Sequence, residues 1–212
     1  QDTLDLSSDQ IQKLGFTRTF QHTRLWREMT VIENLLVPPR NQFSPNKFLA
    51  LFRPFSRLEE KKRLKRAYEV LRQLEIPHMA HNLASELSGG QSKLVDIGRA
   101  LMSDPQLLLL DEPVAGVAGP LAMKIFNDLR EHVSKTGNSV LIIEHNMDVI
   151  KLADYIIDIG PEGGDGGGQI VAKGTPEEVA SILGSHTGRY LKEMLASKGR
   201  LIPQTTADRL QA

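Results

Sequence analysis

The chain has 212 residues, 26 basic and 26 acidic side chains, 40% hydrophobic and 25% charged residues, and no cysteine. That usage excludes wholesale disorder, and the zero formal charge removes the general electrostatic case for a polyanion binder, although a local basic patch stays possible. Without cysteine there are no disulfides, thiolate zinc sites or cysteine nucleophiles, and no apolar run approaches the roughly 20 residues that cross a bilayer.

The start, Gln1 to Gln10, is polar and acidic and carries no signal-peptide pattern. No initiator Met is present, so the expectation is a fragment of a soluble cytoplasmic protein. Gly15–Gln21 (GFTRTFQ) alternates large and polar residues and predicts a short strand. Met29–Val37 predicts a helix with Thr30 as N-cap and Glu33 completing a capping box. Pro38 to Pro54, broken by four prolines and by Asn and Ser, predicts a loop with short helical pieces. An amphipathic helix follows, with Leu58, Leu64, Ala67, Tyr68, Leu71 and Leu74 on one face. Its other face carries Lys61, Lys62, Arg63, Lys65 and Arg66, a solvated surface or a contact for nucleic acid or lipid headgroups.

Beyond this point helices and strands alternate. Ser88–Met102 and Leu121–Thr136 predict helices; Gln106–Leu110 (QLLLL) and Ser139–Ile143 (SVLII) predict buried strands; Asp148–Ala153 predicts a short helix. Near-continuous apolar strands between helices predict a parallel sheet covered on both faces. Tyr155–Ile159 and Gln169–Ala172 predict two more strands, joined by the glycine-rich loop Gly160–Gly168 as a flexible hairpin. Thr175 predicts the cap of a final helix, with Pro176 at its first position and Glu177 and Glu178 in its first turn. The architecture expected is α/β with a largely helical insertion between the first strand and Ser88.

Four short elements carry candidate chemistry. Ser88-Gly89-Gly90-Gln91 opens a helix, where unpaired N–H groups and the helix dipole favour an anion and glycines let it approach the backbone. A cap and turn with no ligand is the plainer reading of those residues. Leu107–Leu110 leads into Asp111-Glu112-Pro113, at the carboxyl end of a parallel strand, where ligands bind in open α/β sheets. Asp111 suits Mg²⁺, a hard cation that prefers oxygen, and Glu112 suits polarising an attacking water. Ile142-Ile143 leads into Glu144-His145 at a second strand end, and Gln21 ends the first strand with an amide able to meet a metal or a water.

The set TFQ, LSGGQ, LLLLDEP and IIEH resembles the nucleotide-binding domain of ABC ATPases, over about Gly15 to Ala180. The resemblance implies a P-loop NTPase-like parallel sheet with a helical subdomain at about 30–103, within a domain at 1–195 followed by a tail at 196–212. It implies ATP and Mg²⁺ as cofactors: Gln21 as the Q-loop glutamine, Ser88, Gly89, Gly90 and Gln91 against the γ-phosphate of ATP held by a partner subunit, Asp111 near Mg²⁺, Glu112 as general base and His145 as the switch histidine. It further implies a second ABC ATPase domain and membrane permease subunits as partners, at the cytoplasmic face of the inner membrane, with no direct nucleic acid.

Within the family, Thr19–Leu36 is similar to ATPases of branched-chain amino-acid importers, whereas Gly137–Leu195 is similar to the end of the bacterial excision-repair ATPase, the damage-recognition A subunit. The absence of cysteine and the short stretch from Gln21 to Ser88 weight the importer above the repair enzyme, and a remnant supplying only a signature half-site is a further alternative. Two departures stand out. The phosphate-binding loop of the family is G-x-x-x-x-G-K-[ST], and this sequence contains no Gly-Lys dipeptide, so that strand and loop are expected upstream of Gln1. The stretch Val114–Ala118 lacks the aspartate of the family's D-loop.

Overall fold

The computed structural model describes residues 5–19, 23–37, 53–160 and 168–196. Gln21, most of the proline-broken stretch, the centre of the glycine-rich loop and the tail fall outside these residues. The chain divides into two compact units, one ending at Ile143 and the other starting at Glu144.

The first unit opens with α1 (Ser8–Lys13), capped by Ser7 in a capping box with Gln10. Among the described residues strand β1 spans Phe16–Arg18, and the end of the predicted strand at Gln21 lies outside them. Helix α2 (Val31–Leu36) starts where Thr30 and Glu33 predict, both halves of the capping box being formed. Helix α3 (Arg53–Gln73) and two 3₁₀ turns, Pro77–Met79 and Ala84–Glu86, lead to α4 (Gly89–Met102). Strand β2 (Leu107–Asp111), helix α5 (Gly119–Thr136) and strand β3 (Ser139–Ile143) complete the unit.

The three strands form one parallel sheet in the order β1-β2-β3. Leu107 pairs with Phe16 and Ser139, and at the far end Asp111 pairs with Ile143. Alternation then decides what each strand buries. Leu108 and Leu110 point to one face and are each 2% exposed. On that face a cavity of only about 10 Å³ is lined by Leu108 and Val140 together with Leu101 of α4 and Leu129 and Val133 of α5. Helix α5 contributes Ala122, Ile125, Phe126 and Leu129, buried at helical spacing. Gly137, at φ 71°, ends α5 in the left-handed region that glycine enters without a Cβ penalty.

The opposite face corrects the expectation of a sheet covered on both sides. Among the described residues, Leu141 and Ile143 of β3 are 52% and 61% exposed. An apolar strand shows that a side chain is suited to burial, not that a described element covers it.

A second core lies among the helices. Val31, Leu35, Ala67, Val70, Leu71, Leu74, Leu94 and Val95 are almost wholly buried between α2, α3 and α4. Gly98 lets α4 come close to α3, since a Cβ there would lie 3.0 Å from Leu74 and 3.3 Å from Val70. Asn34, fully buried in this core, accepts from the Trp26 N–H and donates to the carbonyls of Trp26, Met29 and Thr30. A buried amide is tolerated because its hydrogen-bonding capacity is used, and it fixes the path of residues 26–30.

The second unit contains α6 (Met147–Ile150), the antiparallel pair β4 (Ile156–Gly160) and β5 (Gln169–Gly174), and helices α7 (Pro176–Ala180) and α8 (His186–Ala196). Thr175 caps α7, as its sequence predicts, and Glu178 completes a capping box with it. The single final helix of the sequence reading is in fact two. The break falls at Ser185, which accepts from the Gly188 N–H and so starts a new helix. Ile156, Ala172, Val179, Ala180, Leu191 and Leu195 form the core of this unit.

Candidate functional site

Ser88 caps α4. Its Oγ accepts from the Gln91 N–H at 3.3 Å while the Gln91 Oε1 accepts from the Ser88 N–H at 2.8 Å. The two side chains thus satisfy each other's backbone, which is the plainer of the two sequence readings. The glycines divide in role. A Cβ on Gly90 would stand 2.8 Å from the Gly116 carbonyl oxygen, so Gly90 is required by close packing against the turn after β2. A Cβ on Gly89 would meet nothing within 4 Å, and Ser88 and Gly89 are both exposed. The start of this 14-residue helix is thus exposed at Ser88 and Gly89, and a helix start is where the dipole favours an anion.

Asp111 is the last residue of β2 and is half buried, with Arg18 of β1 at 3.8 Å from its carboxylate. Glu112 follows at φ 43°, in the left-handed region, where a Cβ crowds its own backbone at about 1–2 kcal/mol. Residues so strained persist where their surroundings over-determine them, and they cluster at functional sites. The Glu112 N–H donates to the Ile143 carbonyl at 3.0 Å, and its carbonyl accepts from Lys93 Nζ at 2.7 Å and from the Ala115 N–H at 3.3 Å. Glu112 and its two carboxylate oxygens thus leave a turn whose backbone is fixed from β3 and from α4.

His145 is exposed and belongs to the second unit, two residues after Ile143. Glu144 shapes its turn, one carboxylate oxygen accepting from the N–H groups of His145 and Asn146 at 3.1 and 3.2 Å. Its other oxygen is buried without a hydrogen-bond partner among the described residues. Gln21 lies outside the described residues. The first unit thus brings together the start of α4 and the Asp111-Glu112 turn.

Sequence reasoning missed three contributors. Lys93 and Arg18 meet the DEP turn only through tertiary packing, and no local pattern marks them. Arg99 lies 4.5 Å above the Trp26 ring, donates to the Arg24 carbonyl at 2.6 Å and pairs with Asp96 at 3.4 Å. Burial pushes the Asp96 carboxyl above its ordinary range, an effect that the Arg99 charge opposes. Burial likewise lowers the Arg99 guanidinium, and the Asp96 charge opposes that. Arg99 ties the end of α4 to the residues that follow Gln21. The helical spacing of Asp96 and Arg99 was the one available signal.

Known proteins bear on this geometry. Half of the chain, 53%, aligns at 50% identity over 118 residues with a protein named UvrABC system protein A from Vibrio vulnificus, of whose length this chain spans only 12%. A solved nucleotide-free ATP-binding cassette from an ABC transporter matches 91% of the chain and 74% of its own, at 35% identity and a TM-score of 0.66. The UvrA2 structure from Deinococcus radiodurans matches 62% of the chain and 17% of its own, at 34% identity and a TM-score of 0.56. Residues 2–115, more than half of the chain, match the family described as ABC transporter, and the chain belongs to that family.

Proposed function

We propose that this chain is the signature-bearing part of an ATP-hydrolysing cassette that works as a pair with a second cassette. The observation that carries this reading is the turn after β2: Asp111 and Glu112 leave the carboxyl end of a parallel strand, and Glu112 is held there in a strained backbone conformation. The donor set suits Mg-ATP. Asp111 offers oxygen to a hard cation, Gln21 is a further candidate for the metal, and the open start of α4 offers N–H groups to a phosphate. Mg²⁺, when bound, neutralises charge on the phosphates during hydrolysis.

This chain's residues then divide the work. Ser88, Gly89, Gly90 and Gln91 face the γ-phosphate of ATP held by the second cassette. Glu112 accepts the proton of the water that attacks the γ-phosphate, yielding ADP and inorganic phosphate. His145 orients the γ-phosphate from its strand end. The sequence holds no G-x-x-x-x-G-K-[ST] loop, so the cradle for the remaining phosphates comes from chain beyond these 212 residues.

For the process driven, we favour import of a small solute such as a branched-chain amino acid, with membrane permease subunits as partners and a peripheral place on the cytoplasmic face of the membrane. Coverage supports it, since the transporter cassette matches 91% of the chain. A role in DNA excision repair is the second reading, favoured by the 50% identity with the Vibrio protein. ATP turnover that rises with DNA selects repair; turnover that rises with a co-purified permease selects import.

The test of the chemistry is Glu112→Gln in protein that includes the phosphate-binding loop. A positioned general base contributes about 10²–10⁴-fold, so turnover falls by that factor while ATP stays bound. Asp111→Asn instead lowers nucleotide affinity and turnover together, and His145→Ala resembles the Glu112 change. Near-normal turnover in Glu112→Gln removes the assignment.

A further inference from the structure

Among the described residues, a side chain from another element, Lys93 of α4, holds the Glu112 turn. To the Glu112 carbonyl the Ala115 N–H donates at 3.3 Å from the same turn, whereas Lys93 Nζ donates at 2.7 Å from α4. Lys93 lies one turn beyond Gly89 and is half buried. Its ammonium is a charged donor, and such bonds are shorter and roughly twice as strong as neutral ones. The distance between α4 and the turn is also fixed, because Gly90 sits against the Gly116 carbonyl where no Cβ fits. Lys93 therefore reaches Glu112 from a rigid base.

We infer that Lys93 is a positioning residue: by holding the Glu112 carbonyl it keeps the residue in its left-handed conformation and sets where the carboxylate is presented. The functional half of this inference rests on the reading of Glu112 as general base. Its consequence is a link within the chain. The helix whose first turn faces a nucleotide on the second cassette also grips this chain's own base, so a shift of α4 at one nucleotide alters the aim of Glu112 at the other. A neutral side chain at position 93 loses this grip, and arginine, which keeps charge and donors, retains it in part.

Amide hydrogen exchange on the full chain tests the structural half. In Lys93→Met, exchange at Glu112 and Ala115 quickens by about tenfold to a hundredfold, the range for losing a hydrogen bond to a charged group, while amides of α3 keep their protection. Lys93→Arg restores most of it. Glu112→Gly combined with Lys93→Met also restores it, because glycine occupies the left-handed region without the grip. Unchanged exchange in Lys93→Met overturns the inference, as does equal quickening with and without glycine at position 112. Should Lys93→Met not fold, Lys93→Gln carries the same comparison.

Turnover in the assembled ATPase tests the other half. We expect kcat to fall about tenfold in Lys93→Met with KM for ATP unchanged. If Glu112→Gln abolishes turnover and Lys93→Met leaves it intact, the inference fails. If Glu112→Gln itself leaves turnover intact, the general-base reading fails, and the exchange result alone decides the role of Lys93.

Discussion

The two units use their polar groups in opposite ways. In the second, Asp158 of β4 accepts from Ser185 Oγ at 2.6 Å and Thr187 Oγ1 at 2.9 Å, and Ser185, 1% exposed, also accepts from the Gly188 N–H at 2.7 Å. The two bonds to Asp158 tie the start of α8 to β4, the third caps α8 itself, and the hydroxyl of Ser185 is used up inside. In the first unit the turn after β2 is secured through backbone atoms, by Ile143 and Lys93, and the Asp111 carboxylate beside it lies 3.8 Å from Arg18. The same chemical groups build a scaffold when bonded side chain to side chain, whereas in the turn after β2 it is the backbone behind them that is held.

The largest effect expected from this contrast is Gly188→Ala in the second unit. A Cβ there would lie 2.3 Å from the Val179 carbonyl and 3.2 Å from that of Ile182. Both neighbours are backbone, so the clash is relieved only by moving α7 or α8. Overpacking costs about 1–3 kcal/mol and more where backbone must shift, so we expect about 3 kcal/mol or more. Hydrogen exchange separates the units: amides of α8 and β5 lose protection while those of β2 keep theirs. Equal loss in both units would dissolve the distinction and make them one cooperative body.

A smaller effect falls on the first unit. Arg99→Met removes the cation from Trp26, breaks the bond to the Arg24 carbonyl and leaves Asp96 without its charge partner. Losing a hydrogen bond to a charged group costs about 1.5–3 kcal/mol, so a loss near 2 kcal/mol is expected at neutral pH. Its pH dependence has a definite sign. Burial already raises the Asp96 carboxyl and Arg99 opposes that, so the variant raises it further. A carboxyl that binds its proton more tightly in the folded state costs stability as pH rises through its range. The variant therefore recovers part of its loss as pH falls toward the carboxylate range. Trp26 is the single tryptophan, so acrylamide quenching of its fluorescence reports the uncovered ring directly. Unchanged quenching would show that the guanidinium does not cover it in solution.

What the sequence reveals follows the range of the interactions. Capping boxes at Thr30/Glu33, Ser88/Gln91 and Thr175/Glu178 span three residues, and each is legible because cap and partner lie in one short word. Strand β3 has the limits its apolar run predicts. The position of Asp111 and Glu112 at the carboxyl end of a parallel strand was legible for the same reason, the run and the carboxylates being contiguous, although Asp111 is itself the last residue of β2. By contrast, the left-handed backbone of Glu112 depends on α4 and β3, which are distant in sequence. The split between α7 and α8 was missed because Ser185 reads as one polar residue among several until Asp158 is placed beside it. Exposure of Leu141 and Ile143 was missed because hydrophobicity states a preference and not a neighbour.

The smallest effect has the opposite sign, and it compares how the units start their helices. In the second unit α7 begins with a complete capping box at Thr175. In the first unit α5 begins at Ala118, whose side chain makes no cap and whose backbone, φ −59° and ψ 135°, is already extended as a capping residue requires. Pro120 stands in the first turn and has no N–H, so the donor that a cap at 118 would meet is the Leu121 N–H, at the third helical position. Ala118 is exposed, so a hydroxyl there displaces no packed neighbour. Ala118→Ser should therefore stabilise the first unit by about 0.5–1 kcal/mol, the lower part of the range for an N-cap. Denaturation of the variant should show a raised midpoint with an unchanged slope. The same change also tests the contrast between units, because Ala118 closes the turn that begins at Glu112. A cap that only repairs a helix end raises stability and leaves amide exchange at Glu112 as it was. Slower exchange at Glu112 would show that the start of α5 also steadies the turn, and that the grip on it is shared between α4 and α5.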